Sequence, residues 1–174
     1  MKIEPVSERT SLALAVDPTT KGFAFVVLEE GVLIDWGVRH AGSEKNRGSI
    51  QKLKVLIADY KPDVLVIEDI HDRSSRRLRR VRLLIGQFAR AARRYKVVVR
   101  RVTRRAVRQH FGANSWQVTK HHIALALADR FPELRGRLPR VRKLWMTEDE
   151  RMSIFDALAM AFVVSQQKRD VQTA

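Results

Sequence analysis

The sequence predicts an α/β domain built on a mixed sheet of five strands, and three observations carry that prediction. Residues 12–40 hold three apolar, strand-like runs separated only by turn residues, which makes an antiparallel three-stranded meander. A fourth apolar run, VLVIEDI, is reached through a segment of helical period and is therefore expected parallel to the first strand. A fifth, β-branched run, VVVRRV, follows a second long helical segment.

The first strand organises the rest. From Leu12 to Val16 the chain is apolar on both alternating faces, as suits a central strand, and it delivers Asp17 to the strand tip. Pro18, Thr19, Thr20 and Gly22 supply turn chemistry, and Phe23, Phe25 and Val27 resume a period of two. Asp17 sits where a simple turn-capping acid would also sit. Gly31 and VLIDWGVRH give the third strand, and AGSEKNRGS is a polar loop. Ile50, Leu53, Leu56, Ile57 and Tyr60 share a helix face that Lys61-Pro62 ends. The fourth strand closes on Glu68 and Asp69, and its parallel course brings the tips bearing Asp17 and Glu68 to one sheet edge.

Ser74 to Tyr95 reads as a helix with Leu78, Val81, Ile85, Phe88, Ala92 and Tyr95 on one stripe and arginine elsewhere. Lys96–Val102 is the fifth strand, Thr103 caps a short helix through Phe111, and Trp116–Phe131 forms another helix. Residues 132–146 read as a surface connector. A last helix is expected from Thr147, where Thr147 and Glu150 fit a capping box. The boundaries that follow are a lead-in at 1–11, one domain over 12–165 and a tail at 166–174.

Composition narrows the function. The net charge of +15, from 34 Lys and Arg among 174 residues, points to a polyanionic partner, nucleic acid before membrane. From Arg73 to Arg108 there are 14 arginines and one lysine, and no acid occurs between Asp72 and Asp129. Arg73, Arg76, Arg77, Arg79 and Arg80 begin this field directly after Glu68, a sensible track for a phosphate backbone. No aromatic platform interleaves them, which favours structured or duplex DNA over single strands. The absence of cysteine excludes a disulfide frame and thiolate metal sites. No apolar run approaches the roughly 18 residues of a membrane span, and the N-terminus lacks a signal peptide's apolar core, so a cytoplasmic location without membrane association is expected.

Asp156 stands out because IFDALAMAFVV surrounds it with apolar neighbours, and a buried carboxylate needs a cationic partner or a metal. On a continuous helix Asp149, Ser153 and Asp156 would share a face. Adjacent His121 and His122 point about 100° apart and cannot easily share an ion. Among the tryptophans, Trp145 in the connector is the one worth testing for base stacking.

Taken together, AVDPTTKGFAFV, PDVLVIEDI and FDALAMAF, in this order and spacing, resemble the RuvC-type Holliday junction resolvases of the RNase H-like nuclease superfamily. The resemblance implies a three-layer α/β/α fold whose five-stranded sheet combines the antiparallel meander with two parallel strands. It implies that Asp17, Glu68 and Asp156 are catalytic acids holding two Mg²⁺ ions, for which Mn²⁺ substitutes, and that no small-molecule cofactor is used. The family's fourth acid falls on Ser153 here, leaving Asp149, one turn further back, as a substitute metal ligand and catalytic acid. Asp69 is another, although strand alternation points it away. Two family lysines fall on Arg108, in AVRQHFG, and Lys120, in VTKHHIALAL, as contacts to the scissile phosphate, with Lys120 catalytic. The place of an aromatic wedge is held by His71.

The expected function is a Mg²⁺-dependent endodeoxyribonuclease, a homodimer that resolves Holliday junctions or related branched DNA in recombination and repair. Two other readings share the fold: a nuclease acting on RNA, RNA–DNA hybrid or a transposon end, and a noncatalytic basic DNA-binding protein, which Ser153 keeps open. A sugar-kinase or actin-like phosphotransferase would share the first hairpin but needs a second large domain.

Overall fold

The structure, a computed structural model, describes residues 11–73, 75–112, 118–141, 143, 145 and 149–172. Five strands, β1 (Leu12–Pro18), β2 (Gly22–Glu29), β3 (Val32–His40), β4 (Val64–Glu68) and β5 (Val98–Val102), form one sheet in the order β3-β2-β1-β4-β5. β1 pairs antiparallel with β2 and β2 with β3, while β1–β4 and β4–β5 are parallel. This is the expected mixed sheet, and its middle strand is the one whose sequence is apolar on both faces.

Helices α1 (Lys45–Tyr60), α2 (Arg79–Arg94), α3 (Arg104–Gly112), α4 (Lys120–Arg130) and α5 (Met152–Gln172) divide between the two faces. On one face Leu14, Val16, Phe23, Phe25, Val27, Leu65 and Ile67 meet Leu53 and Ile57 of α1 and Leu84, Ile85 and Phe88 of α2. On the other, Ala13, Ala15, Ala24 and Val26 meet Ala157, Leu158 and Ala161 of α5, with α3 and α4 outside it. Alternation sends the large side chains of β1 and β2 to α1 and α2. The alanines face α5, whose own small residues let it lie close to the sheet. An α5 buried on nearly all sides explains why its sequence carries so little polar periodicity.

One turn depends on backbone freedom and one strand start on the lack of a side chain. Glu30 and Gly31 both have positive φ, 49° and 86°, the geometry that joins β2 to β3 in a tight hairpin. At Gly22 a Cβ would lie 1.9 Å from the Arg39 carbonyl oxygen, so only glycine lets β2 start this close to β3.

Several boundaries differ from the sequence reading. The helix expected from Ser74 starts at Arg79, because Leu78 is extended (φ −60°, ψ 152°) and residues 75–78 form no helix. Leu78, placed on the apolar stripe, is 77 % exposed. β5 starts at Val98 because Lys96 takes a positive φ of 60° that turns the chain out of α2. α4 starts at Lys120, where the Thr119 hydroxyl accepts from the His122 amide (3.3 Å) and the His122 ring closes a capping box. The connector contains a 3₁₀ turn, Pro132–Arg137. α5 begins at Met152 after a lead-in of i→i+3 bonds from Asp149–Arg151, and it extends through Gln172 into the expected tail. Thr147 and Glu148 lie outside the described residues, as do the lead-in at 1–10 and Trp116. Among the described residues no helix is long and apolar enough to cross a membrane.

Candidate active site

Strand alternation places the acids. Residues 13 and 15 of β1 and 64 and 66 of β4 face α5, and Ala15 is in register with Val66. Two residues further on, Asp17 and Glu68 therefore emerge on that same face, at the adjacent ends of two parallel strands. Asp69 has the opposite parity and accepts a bond from the His71 amide (3.0 Å) instead. Asp156, one turn into α5, completes the arrangement. A cleft of about 220 Å³ is lined by Asp17, Glu68, Asp156, Lys120, Arg108, Arg77 and Arg104, with Thr103, Val107 and Met160 among its walls.

Each carboxylate has a cationic partner. Arg77 Nε donates to Glu68 Oε2 at 2.7 Å, its Nη2 donates to Asp17 Oδ1, and its Nη1 donates to the Pro18 carbonyl oxygen at 3.2 Å. Arg104 Nε donates to Glu68 Oε1 at 3.0 Å, and Lys120 Nζ donates to Asp156 Oδ2 at 2.6 Å. Burial would raise the Glu68 carboxyl, but the hydrogen bond from Arg104 and the charges of Arg77 and Arg104 outweigh it and hold the group below the usual range. Asp156 goes the other way: burial first, and then the nearby Asp17 charge, raise it despite Lys120. Burial disfavours the Arg77 cation, yet Asp17 and Glu68 more than compensate and its pKa is raised.

The donor chemistry fits a hard divalent cation, since three carboxylates converge on a cleft whose lining holds no cysteine or histidine, and the buried Asp17 Oδ2 has no hydrogen-bond partner. As the side chains stand, however, no three acidic or histidine groups among the described residues are gathered tightly enough to hold an ion. Arg77 bridges Asp17 and Glu68 in its place.

Asp149 does not join these acids. It lies in the turn before α5, where Arg151 binds it through Nε (3.0 Å) and Nη2 (2.5 Å). The shared helical face expected for Asp149, Ser153 and Asp156 is absent because the helix starts after Asp149. The Arg151 hydrogen bond holds the Asp149 carboxyl below its ordinary value. Asp149→Asn is accordingly expected to change Tm little and to leave the chemistry of the cleft as it is in the wild type, because a solvent-exposed pair outside the cleft is screened and contributes little. A parallel assay of the variant and the wild type checks this.

The basic track also divides. Arg73, Arg76 and Arg79 are exposed. Arg77 is in the cleft, and Arg80 is tied to the protein, with Nη1 donating to Asn46 Oδ1 (2.9 Å) and Nη2 to the Thr19 carbonyl oxygen (3.3 Å). Arg108 is exposed at the cleft and Lys120 is half-buried beside Asp156. His71 is outside the cleft, in a shallow groove with Arg79, Arg82, Leu83 and Arg90. Trp145 is 79 % exposed, with Lys143 over its ring.

Sequence reasoning missed the ion-pairing roles of Arg77 and Arg104. Arg104 falls beside Glu68 because Val102 is in register with that acid, so that a residue just past the end of β5 comes next to it, a register the sequence alone does not display.

No protein-family model and no curated protein matches the sequence. Solved structures do. Thermus thermophilus RuvC shares 16 % identity at a TM-score of 0.64, over 92 % of this chain and 97 % of that one. The same enzyme in complex with a Holliday junction substrate gives 16 % and 0.62, over 91 % and 95 %. The yeast mitochondrial Holliday junction resolvase gives 11 % and 0.64, over 94 % and 81 %. The chain thus has the RNase H-like fold of RuvC-type Holliday junction resolvases.

Proposed function

We propose that the protein is a Mg²⁺-dependent DNA endonuclease that resolves Holliday junctions or related branched DNA, acting as a homodimer because a four-way junction needs two symmetric cuts. The observation that carries this reading is the convergence of Asp17, Glu68 and Asp156 on one cleft edged by Lys120, Arg104 and Arg108. Divalent ions held by these carboxylates would supply Lewis-acid activation of water and stabilisation of the leaving oxygen. The chain's own cations have a separate task. Arg108 is placed to draw a backbone phosphate to the cleft, and Lys120, half-buried against Asp156, keeps a positive charge beside the carboxylates where the phosphate would lie.

A noncatalytic DNA-binding protein is the second reading. It is favoured by the pairing of every cleft carboxylate with a cation, together with Ser153 in the place of the fourth acid. Labelled four-way junction, linear duplex, single-stranded and RNA–DNA hybrid substrates separate the readings. Selective cutting of the junction supports a resolvase, preferential cutting of another substrate reassigns the nuclease, and binding of all without cutting supports the second reading.

A further inference from the structure

Resting on that metal-dependent reading, we infer that Arg77 competes with the divalent ion for the cleft, so that this one side chain sets how much metal the site requires. Its guanidinium makes contacts with both strand-tip acids, and its Nη1 also donates to the Pro18 carbonyl oxygen, 3.2 Å away. The Arg77 side chain is 16 % exposed, and the acids it bridges are only 2 % and 3 % exposed. An ion taking the same two oxygens would bring a second positive charge against the guanidinium in a poorly solvated place, where like charges repel strongly. Sharing is therefore disfavoured, and Arg77 would have to leave Asp17 and Glu68 before these carboxylates could hold an ion.

The local structure allows that exchange. Arg77 lies between β4 and α2, in a segment with no helical hydrogen-bond ladder, so its side chain can swing out without breaking a helix. Arg104 differs, because among the described residues its hydrogen bonds go to Glu68 and not to Asp17, and it is carried on the first turn of α3. The acids do not lack countercharge without metal: Asp17, Glu68 and Asp156 bring three negative charges, and Arg77, Arg104, Arg108 and Lys120 line the same cleft with four positive ones.

The test is Mn²⁺ binding in the absence of DNA, followed by the electron paramagnetic resonance signal of the free ion and by thermal melting with and without Mn²⁺. Arg77→Gln removes the competing charge and should bind Mn²⁺ about 10-fold tighter than wild type or better. Without metal it should melt lower than wild type, because the buried Asp17 loses its cationic partner and Glu68 is left with Arg104, and Mn²⁺ should restore more Tm to it than to wild type. Arg77→Lys, whose single ammonium cannot bridge both acids as a planar fork does, should fall between the two. It carries the comparison if the glutamine variant does not fold. Equal Mn²⁺ affinity in wild type and both variants overturns the inference and leaves the nuclease reading standing. No Mn²⁺ binding by any of the three overturns the metal-dependent reading itself, and the inference with it.

Discussion

Asp156→Asn should give a protein that binds a four-way junction and does not cut it. The amide keeps the shape of the carboxylate but removes the charge that would hold a cation, so cleavage should fall on the order of 10²- to 10³-fold. Binding should persist or improve, because the exposed arginines are untouched and one fewer carboxylate repels phosphate. The same loss of cutting is expected for Asp17→Asn and Glu68→Gln, but stability separates them. Glu68 accepts from both Arg77 and Arg104, and its side chain is 3 % exposed. Its amide variant leaves those guanidinia short of charge in a buried place, at a cost of roughly 3–5 kcal/mol. Asp156 differs because burial and Asp17 raise its carboxyl pKa, so the folded state binds its proton more tightly than the unfolded chain does. Wild-type stability should then decline as pH rises from the ordinary aspartate range through the raised value, and Asp156→Asn should lack that decline. Cleavage assays, gel shifts and melting curves across this range check all three variants. Wild-type cutting by Asp156→Asn would remove the acid from the site.

The second large effect concerns the basic track. Arg73, Arg76 and Arg79 are exposed on either side of Arg77 in the chain, and reversing all three to glutamate should weaken junction, duplex and single-stranded DNA together, on the order of 10²-fold. Phosphate contacts release counterions, so the slope of log affinity against log salt should also become shallower by roughly three. Tm should change little, since these side chains are solvated. Arg80 is unsuitable for this experiment because it ties the β1–β2 turn to α1 through Thr19 and Asn46. Binding isotherms at several salt concentrations decide the matter, and an unchanged affinity would move the DNA track away from this segment.

What was legible in the sequence was what periodicity controls. The unbroken apolar run of β1 marked the central strand, and alternation from Ala13 and Val64 is enough to bring Asp17 and Glu68 to one face. Asp156 was conspicuous because its neighbours are apolar. The rest depended on reach and on tertiary anchoring. The arginines after Glu68 look alike as a charge run, yet Arg77 lies in a stretch that forms no helix and turns inward, while Arg76 and Arg79 stay in solvent. A helical reading of residues 74–78 hid that difference, since the apolar spacing at Leu78 favoured it. Asp149 was misplaced for a related reason: capping chemistry suggested a helix start at Thr147, whereas the regular helix begins at Met152 and Arg151 takes the acid. Arg104 required the parallel register of β4 and β5, which a single sequence does not display.

The most direct test of a metal-dependent junction nuclease is a single time course: wild-type protein with an end-labelled four-way junction, in Mg²⁺, in Mn²⁺ and in chelator. Paired symmetric nicks with ligatable ends are expected in either metal and none in chelator, where the junction remains bound. Nicking that continues in chelator, or a bound junction that stays intact at every metal concentration, would contradict it.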